Sequence, residues 1–373
     1  MTSPPACAHS DLGLKGAPWG SRSLTPDGYV FEDEVAGQLI EASFDLIAKG
    51  GWGDFSLRAV ADSIGAAGSA ASHRFGDRAG LVTAVCDAAI ERERAQMETF
   101  LPGVEVETGE ELTAVLYAWL EERLRKNCRQ ARTCSELLMV SYRDPAFRSF
   151  GPRWVDLCRR MIARLSPGLG AEASGALAAF LSVEIAYWLL RAEDPVFRLT
   201  GREALRRMVM LGADEPGPLP VLWLQRALDA PDTGKPLAFS GTKLTIVEAT
   251  AAIIADAGVQ TLTHREIARR SGASLSSLTY HFESLNDLIR HGFWRLFPPD
   301  APTPSTPARA VVGYELVLQA LRDPLLAPLA AGVRNRLIRG LFEPRDRGDP
   351  QVLARREASA VLETAYLLAG EAA

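Results

Sequence analysis

The chain has 373 residues, 47% of them hydrophobic, and a formal net charge of −5. This length predicts two or three domains. The negative charge argues against a protein that coats nucleic acid non-specifically, but it does not exclude a small local surface that binds nucleic acid. Because the N-terminus lacks the features of a signal peptide and no apolar run approaches the roughly 20 residues of a membrane span, we expect a cytoplasmic protein. Five cysteines without C-x-x-C spacing argue against a disulfide framework or a metal site, so we expect no cofactor.

The N-terminal part of the chain predicts a tail followed by three helices. Residues 1–28 are rich in Pro, Gly and Ser without periodicity, which predicts disorder. Apolar residues recur at helical spacing over 32–49, where a G-G-W-G turn ends the pattern. Ser56 is placed to cap a second helix that Gly65 closes, and a short third helix ends at Phe75. A helix, a turn with glycine and a short helix are typical of a helix-turn-helix.

Helical patterns continue through the rest of the chain, and no segment predicts a strand. In the first half they cover 77–100, 110–127, 131–142, 147–165, 171–191, 201–211 and 217–230. In the second half they cover 284–297, 308–322, 325–341 and 350–369. The sequence therefore predicts an all-α protein.

The first half of the chain is repeated in the second half. The stretch L-I-E-A-S-F-D-L-I-A-K-G-G at 39–51 matches I-V-E-A-T-A-A-I-I-A-D-A-G at 246–258, a shift of 207 that aligns Glu41 with Glu248. The register holds without a gap as far as Leu288. A constant register over this length indicates a true internal repeat.

Later matches follow a different shift. S-Y-R-D-P at 141–145 resembles Q-A-L-R-D-P at 319–324, and E-I-A-Y-W-L-L at 184–190 resembles E-T-A-Y-L-L-A at 363–369, both at a shift of 179. The second copy has therefore lost 28 residues (207 − 179) between its first helices and its later ones. The predicted organisation is a tail at 1–28, a first reading module at 29–100, a first helical body at 101–230, a linker at 231–238, a second reading module at 239–297 and a shortened second body at 298–373.

The motifs of both copies carry a family resemblance. An opening helix, the pattern G-x-x-x-(L/F)-(S/T)-x-R-x-(I/V)-A and the stretch G-A-S-x-S-x-L-T-Y-H-F resemble the TetR family of bacterial transcriptional regulators. The resemblance implies that each copy is a TetR-like unit, in which a three-helix DNA-binding module is joined by a fourth helix to a helical body for ligand binding and dimerisation. It also implies repression relieved by a small molecule, with double-stranded DNA as partner and no catalysis.

The resemblance assigns DNA-contacting residues in both modules. Hydroxyl, aromatic and imidazole groups on a recognition helix suit phosphates and base edges. In the second module the candidates are Thr263, Arg265, Ser274, Ser276, Ser277, Thr279, Tyr280 and His281. In the first module they are Ser56, Arg58, Ser69, Ser72, His73, Arg74 and Arg78. For Arg265, Arg269 and Arg270, the alternative to a DNA contact is a solvent-exposed helix face.

Two departures from the family pattern separate the modules. Where the family usually has a Lys that holds phosphate, the second module has Leu285 and the first has Arg78. From 29 to 100 the chain has 12 acidic and six basic residues, whereas from 239 to 297 it has five acidic and six basic. Because acidic residues weaken phosphate attraction, the second module is predicted to carry most of the DNA binding.

The first body supplies a candidate effector site. An apolar cavity among such helices is where a helical bundle holds an apolar ligand, although helical aromatics one by one are more often packed core. The candidates are Tyr117, Trp119, Met139, Tyr142, Trp154, Tyr187 and Trp188.

Three alternatives stay open. The chain has no G-x-S-x-G, P-loop or H-E-x-x-H motif, so an enzyme is the weakest of them. A degenerate regulator that binds a ligand or protein without DNA is suggested by Leu285 and by the acidic first module.

The two units are predicted to pack as an intramolecular pseudo-dimer through 171–191 and 350–369. An ordinary homodimer, supported by 201–230, is the alternative.

Overall fold

The computed structural model describes residues 22–25, 28–31, 33–191, 193–210, 239–298 and 307–339. These residues form fifteen α-helices and one β-hairpin, and the all-α fold class is confirmed. The helices expected at 217–230 and 350–369, and the linker at 231–238, lie outside the described residues.

The hairpin corrects the prediction of a disordered tail without strands. Strand β1 (Arg22–Thr25) pairs antiparallel with β2 (Gly28–Phe31), with Arg22 opposite Phe31 and Thr25 opposite Gly28. The sequence signal is T-P-D-G, a turn sequence followed by the aromatic and β-branched residues Tyr29, Val30 and Phe31. Strand β2 lies close to the first helix, a tertiary proximity that sequence periodicity does not report.

The first unit contains nine helices among its described residues. They are α1 (Glu34–Gly50), α2 (Leu57–Ser63), α3 (Gly68–Phe75), α4 (Arg78–Phe100), α5 (Gly109–Arg125), α6 (Cys128–Arg143), α7 (Phe150–Leu165), α8 (Ala171–Leu190) and α9 (Pro195–Met210). A short 3₁₀ turn, Trp52–Asp54, joins α1 to α2. Helix α6 packs on α1 and α8, which places the reading module directly on the helical body.

The second unit contains six described helices. They are α10 (Gly241–Ala257), α11 (His264–Ser271), α12 (Leu275–His281), α13 (Leu285–Leu296), α14 (Pro307–Ala320) and α15 (Ala327–Arg339). A 3₁₀ turn, Val259–Thr261, stands between α10 and α11, as its counterpart does in the first unit.

The 28 missing residues correspond to one helix and half of another. Helix α14 starts at Pro307, 179 residues after the start of α6 at Cys128, so α14 is the counterpart of α6. Helix α13 has 12 residues against 23 for its counterpart α4. Only the ten residues 297–306 separate α13 from α14, too few for a counterpart of the 17-residue α5. The second body therefore has less material with which to enclose a ligand.

The two units pack against each other through reciprocal contacts. Arg143 Nη2 lies 2.8 Å from Glu315 Oε2, and Arg322 pairs with Glu136. The shift of 179 turns Arg143 into Arg322 and Glu136 into Glu315, so each unit offers the same two charges to the other. The hydroxyl of Tyr314 lies 3.5 Å from the carbonyl oxygen of its own counterpart, Ser135. Exchange of this kind defines an approximate two-fold axis between the units.

Helix α8 is long and apolar, although the sequence predicted no apolar run close to the length of a membrane span. Among the described residues it is the one helix with the length and composition to cross a membrane, but 72% of its most apolar window is buried inside the protein. Its Glu184 carboxylate accepts hydrogen bonds from Arg334 Nε at 2.8 Å and from Trp188 Nε1 at 3.2 Å. Such burial and a paired internal charge are typical of the core helix of a globular domain.

Candidate nucleic-acid interface

Side-chain caps set the start of both short helices in the second reading module. Thr263 Oγ1 accepts a hydrogen bond from the Glu266 amide at 3.1 Å at the start of α11. Gly272 follows α11 with φ of +69°, a left-handed conformation that suits glycine. Ser274 Oγ then accepts from the Ser277 amide at 3.1 Å and starts α12. Both hydroxyls therefore serve as helix caps, and neither is left over as a purely DNA-directed group.

The recognition helix α12 has one buried face and one exposed face. Leu278 is fully buried, and Phe282 packs edge-on against Phe239 and His291. On the outer face, Tyr280 is 84% exposed and its ring contacts the His281 ring at 5.0 Å. This division explains why the stretch S-L-T-Y-H-F at 277–282 has only one aliphatic residue, since only one narrow face of the helix belongs to the core.

The other predicted residues of this module lie mostly at the surface. Ser276 and Thr279 are exposed, as is Arg265, which forms no ion pair with any described residue. Arg269 and Arg270, in contrast, are paired with Glu266 and Asp256. Arg265 is therefore the most available arginine on α11.

Two residues near this surface were not predicted from the sequence. Leu275, the first residue of α12, is 52% exposed. The Lys243 ammonium lies 4.6 Å from the Phe239 ring and 5.2 Å from the Phe282 ring, which holds a cation at the start of α10. The signal for Lys243 was its position at the start of the opening helix, since a lysine there is not needed by the core.

The first module starts its recognition helix less well. Ser56 caps α2 as predicted, its Oγ accepting from the Ala59 amide at 3.1 Å. At the start of α3, however, the cap position is Ala67, which has no side-chain acceptor, and the first helical residue is Gly68. Both features weaken a helix relative to the Ser274 cap. The exposed groups on α3 are Ser69, Ser72 and His73.

Arg74, one of the predicted cations of the first module, is bound by a neighbouring carboxylate. Arg74 Nε lies 2.7 Å from Asp33 Oδ2, and Arg74 also donates to the Ala70 carbonyl. Burial tends to raise the pKa of Asp33, but hydrogen bonds from the Ala36 amide and from Arg74 outweigh it and lower that pKa. The counterparts of this pair are Ser240 and His281, which carry no such ion pair. Arg74 is thus held against the start of α1.

Arg78 is also held by neighbouring groups. Its guanidinium lies 4.2 Å above the Trp52 ring and donates to the Phe55 carbonyl at 3.4 Å, and burial lowers the pKa of Arg78. The counterpart of Arg78 is the half-buried Leu285, which packs against the core. Arg78 therefore lies against the turn between the first two helices, whereas the second module has an apolar residue at this position. Arg58, the remaining candidate, is highly exposed and lies 3.6 Å from Asp62.

The aromatic candidates of the first body surround buried charges. The Arg123 guanidinium, paired with Glu93, lies 5.1 Å from the Trp119 ring and 5.4 Å from the Trp154 ring. Burial raises the pKa of the nearby Cys158 thiol to about 12, so that thiol stays protonated near neutral pH.

The remaining aromatics divide between the body and the contact between the units. The Tyr117 ring meets Trp188 edge-on at 5.3 Å, and Tyr187 lies 5.9 Å from the buried Arg334 guanidinium. Met139 and Tyr142 lie on α6, where Met139 lines a cavity between the units. The seven candidates do not line one common cavity among those described, and their ligand role stays a prediction.

Comparison with known proteins agrees with this geometry. Residues 39–85 and 246–291 match the family model described as bacterial regulatory proteins of the tetR family. The two matches cover most of α1 to α4 and of α10 to α13, the two reading modules. No curated protein sequence has significant similarity to the chain. The chain therefore contains two tandem domains that match the tetR family, one in each unit.

Proposed function

We propose that this protein is a sequence-specific transcriptional repressor of the TetR type, released or modulated by a small, largely apolar effector. The observation that carries the proposal is the outer face of α12, where an exposed Tyr280 stands beside His281 on a capped helix with a buried anchor. An aromatic residue of this size exposed to 84% on a short helix has no packing role, whereas hydroxyl and imidazole groups suit phosphates and base edges.

We further propose that one chain supplies both reading modules to one operator. The reciprocal pairs Arg143–Glu315 and Arg322–Glu136 support this arrangement, because they join the two units as a two-fold dimer joins two subunits. Tethering in one chain also favours this pairing over association between chains. Since α3 and α12 present different side chains, the two half-sites are expected to differ and the operator to be asymmetric.

Sequencing of the DNA fragments that bind the purified chain tests both proposals. Selected fragments are then titrated in gel shifts at several salt concentrations, and the mass of protein in the complex is measured by light scattering. We expect the protein part of the complex to be one chain of about 40 kDa on an asymmetric site. A species of twice that mass on a true palindrome contradicts the single-chain arrangement.

A second candidate is a regulator that binds a ligand or protein partner but no DNA. It is favoured by the internal use of Arg74 and Arg78 and by the apolar Leu285 where a phosphate-binding lysine is usual in the family. Absence of any selected fragment at low salt, from a chain shown to be folded by circular dichroism, favours this candidate over the first.

A further inference from the structure

A buried ion pair crosses between the two units. Arg334, on α15 of the second unit, donates from Nε at 2.8 Å and also from Nη2 to the carboxylate of Glu184 on α8 of the first unit. The two side chains are 1% and 5% exposed. The ring of Phe197 on α9 lies 4.1 Å from the Arg334 guanidinium. The two charges therefore meet in the core that the units share.

This ion pair has no counterpart in the opposite direction. The shift of 179 that relates the two bodies turns Arg334 into Val155, and it also aligns the 3₁₀ turns Pro145–Phe147 and Pro324–Leu326. Val155 is buried on α7. The first unit therefore has the acidic member of the pair but carries an apolar side chain where the second unit has the basic member.

The other ion pairs between the units do not distinguish one unit from the other. Arg143 binds Glu315 and Arg322 binds Glu136, and the same shift exchanges these two pairs. If two first units met in the same geometry, Arg143 of each would still find Glu136 of the other. Since the reciprocal pairs suit any combination of units, a choice between partners has to come from another contact.

Glu184 provides that contact. Against a second copy of the first unit its carboxylate would be buried opposite Val155, and Trp188 on its own helix would be the one hydrogen-bond donor left to it among the described residues. A buried charge that loses its partner weakens an equilibrium constant by a factor of about a hundred or more. Two such carboxylates would be buried, one from each copy. The first unit is therefore matched to the second unit and mismatched to itself.

The geometry of the pair suits partner choice better than it suits stability. Arg334 Nη1 is buried and has no hydrogen-bond partner among the described residues. A buried ion pair that is not fully hydrogen-bonded is often no more stabilising than apolar side chains of similar volume. Its clear effect is on the wrong combination of units, which leaves a charge unpaired.

The connection between the units does not by itself fix the partner. Residues 211–238 link the described parts of the two units, and a chain of that length reaches up to about 90 Å when fully extended. Tethering raises the local concentration of the chain's own second unit. A second unit from another chain can still take its place, as in domain swapping.

We propose that the Glu184–Arg334 pair determines which units associate. Each first unit accepts a second unit, from its own chain or from another, and rejects a second copy of itself. The inference goes beyond the proposed function, because it concerns the pairing of the units in the absence of DNA.

Two variant chains test this pairing rule. Glu184→Arg and Arg334→Glu each place like charges against each other within one chain, and each supplies the charge that the other lacks. One of them carries an affinity tag, and the two are refolded together from urea. We expect capture of the untagged chain at one to one, with a protein mass of twice the 40.4 kDa of one chain. Capture should be at least about tenfold greater than when tagged and untagged wild-type chains are refolded together.

The exchange of both charges within one chain is the matched control. Glu184→Arg with Arg334→Glu restores a pair of opposite charges in the same chain, so this chain should equal wild type in mass and in self-capture. If this control folds and the mixed single variants show no more capture than wild type, the proposal is overturned.

Neutral substitutions replace the control if it does not fold. Glu184→Gln with Arg334→Met removes both charges and keeps an oxygen that accepts from Trp188. Because first units then have no buried charge to leave unpaired, self-capture is expected to rise about tenfold over wild type. Self-capture equal to that of wild type contradicts the proposal.

The proposed function and the pairing rule fail separately, since all of these measurements are made without DNA. Variants that exchange partners as expected, in a chain that selects no DNA fragment, contradict the proposed function alone. A chain that binds a selected fragment, but whose single variants do not complement each other, contradicts the pairing rule alone.

Discussion

The two reading modules descend from one pattern but use their charges differently. In the first, Arg74 binds Asp33 and Arg78 lies on Trp52, so both cations stabilise the module itself. In the second, those positions are His281 and Leu285, and the exposed groups are left on the outer face of α12. The difference teaches that a cation at a family position is a DNA-binding candidate only after its internal partners have been counted.

The two bodies differ as well. The first keeps α5, whereas in the second only residues 297–306 lie between α13 and α14. Despite this loss, the contact between the units stays nearly symmetric, since Arg143 and Glu136 of α6 pair with Glu315 of α14 and with Arg322, which follows α14. The contact between the units is therefore kept although α5 has no counterpart and α13 is shorter than α4.

Charge reversal at this contact is expected to have the largest effect. Arg143→Glu leaves the nearly buried Glu315 beside a second carboxylate and removes bonds from Arg143 to the Ile254 and Asp256 carbonyls. We expect a loss of about 3–5 kcal/mol in the free energy of unfolding, measured by urea titration. Partial recovery in the exchange Arg143→Glu with Glu315→Arg would show that the charge pair is responsible.

The counterpart reversal gives the matched control. Arg322→Glu removes the pair with Glu136 and a bond to Gln319 within α14, but no carbonyl contacts to the other unit. We therefore expect a smaller loss than for Arg143→Glu. A larger loss for Arg322→Glu would contradict the ranking of the two halves of the contact.

Alanine substitutions test the comparison of the modules directly. Tyr280→Ala with His281→Ala is expected to weaken DNA binding by about 1–3 kcal/mol, because it removes exposed groups from α12. His73→Ala with Arg74→Ala should cost less affinity, because Arg74 is bound to Asp33. Gel shifts over a salt series measure both, and each lost phosphate contact should reduce the salt slope by about one unit. Equal losses would show that the modules share the reading.

Cap substitutions test why one recognition helix is better formed. Ser274→Ala removes the acceptor for the Ser277 amide and should cost about 1 kcal/mol of stability. Ala67→Ser supplies the missing acceptor in the first module and should stabilise it by about 0.5–1 kcal/mol. Hydrogen exchange at the two helix starts measures each change locally. A stability gain at 67 without a loss at 274 would contradict the cap comparison.

Acid dependence is expected to show the smallest effect. Burial raises the pKa of Glu315 above its ordinary value of 4.5, and Arg143 lowers it only in part. The folded chain therefore binds the proton of the Glu315 carboxyl group more tightly than the unfolded chain does. Protonation of Glu315 stabilises the fold fully below pH 4.5, and this stabilisation is lost as the pH rises through the raised pKa. Glu315→Gln should flatten the fall in urea midpoint over that window. An unchanged pH slope would contradict this assignment.

Local sequence signals determined much of the fold. The helical periodicity, the caps Ser56, Thr263 and Ser274, and the inward anchors Leu278 and Phe282 all act within a few residues, so a pattern reports them. The repeat register also follows from the sequence, and with it the equivalence that makes the charge pairs reciprocal. The hairpin at 22–31 was missed because its turn signal lies in a segment of tail-like composition.

Tertiary structure alone decided which polar groups remain for function. Asp33 and Arg74 are 41 residues apart, and Arg143 and Glu315 are 172 apart. No periodicity relates such pairs, because a charge has no preferred partner until folding brings one within reach and removes the water between them. The same holds for the cavity between the units, whose walls come from four separate segments. The local sequence determines where the helices lie and which of their faces are buried. Tertiary packing determines which charges are paired and which side chains remain exposed.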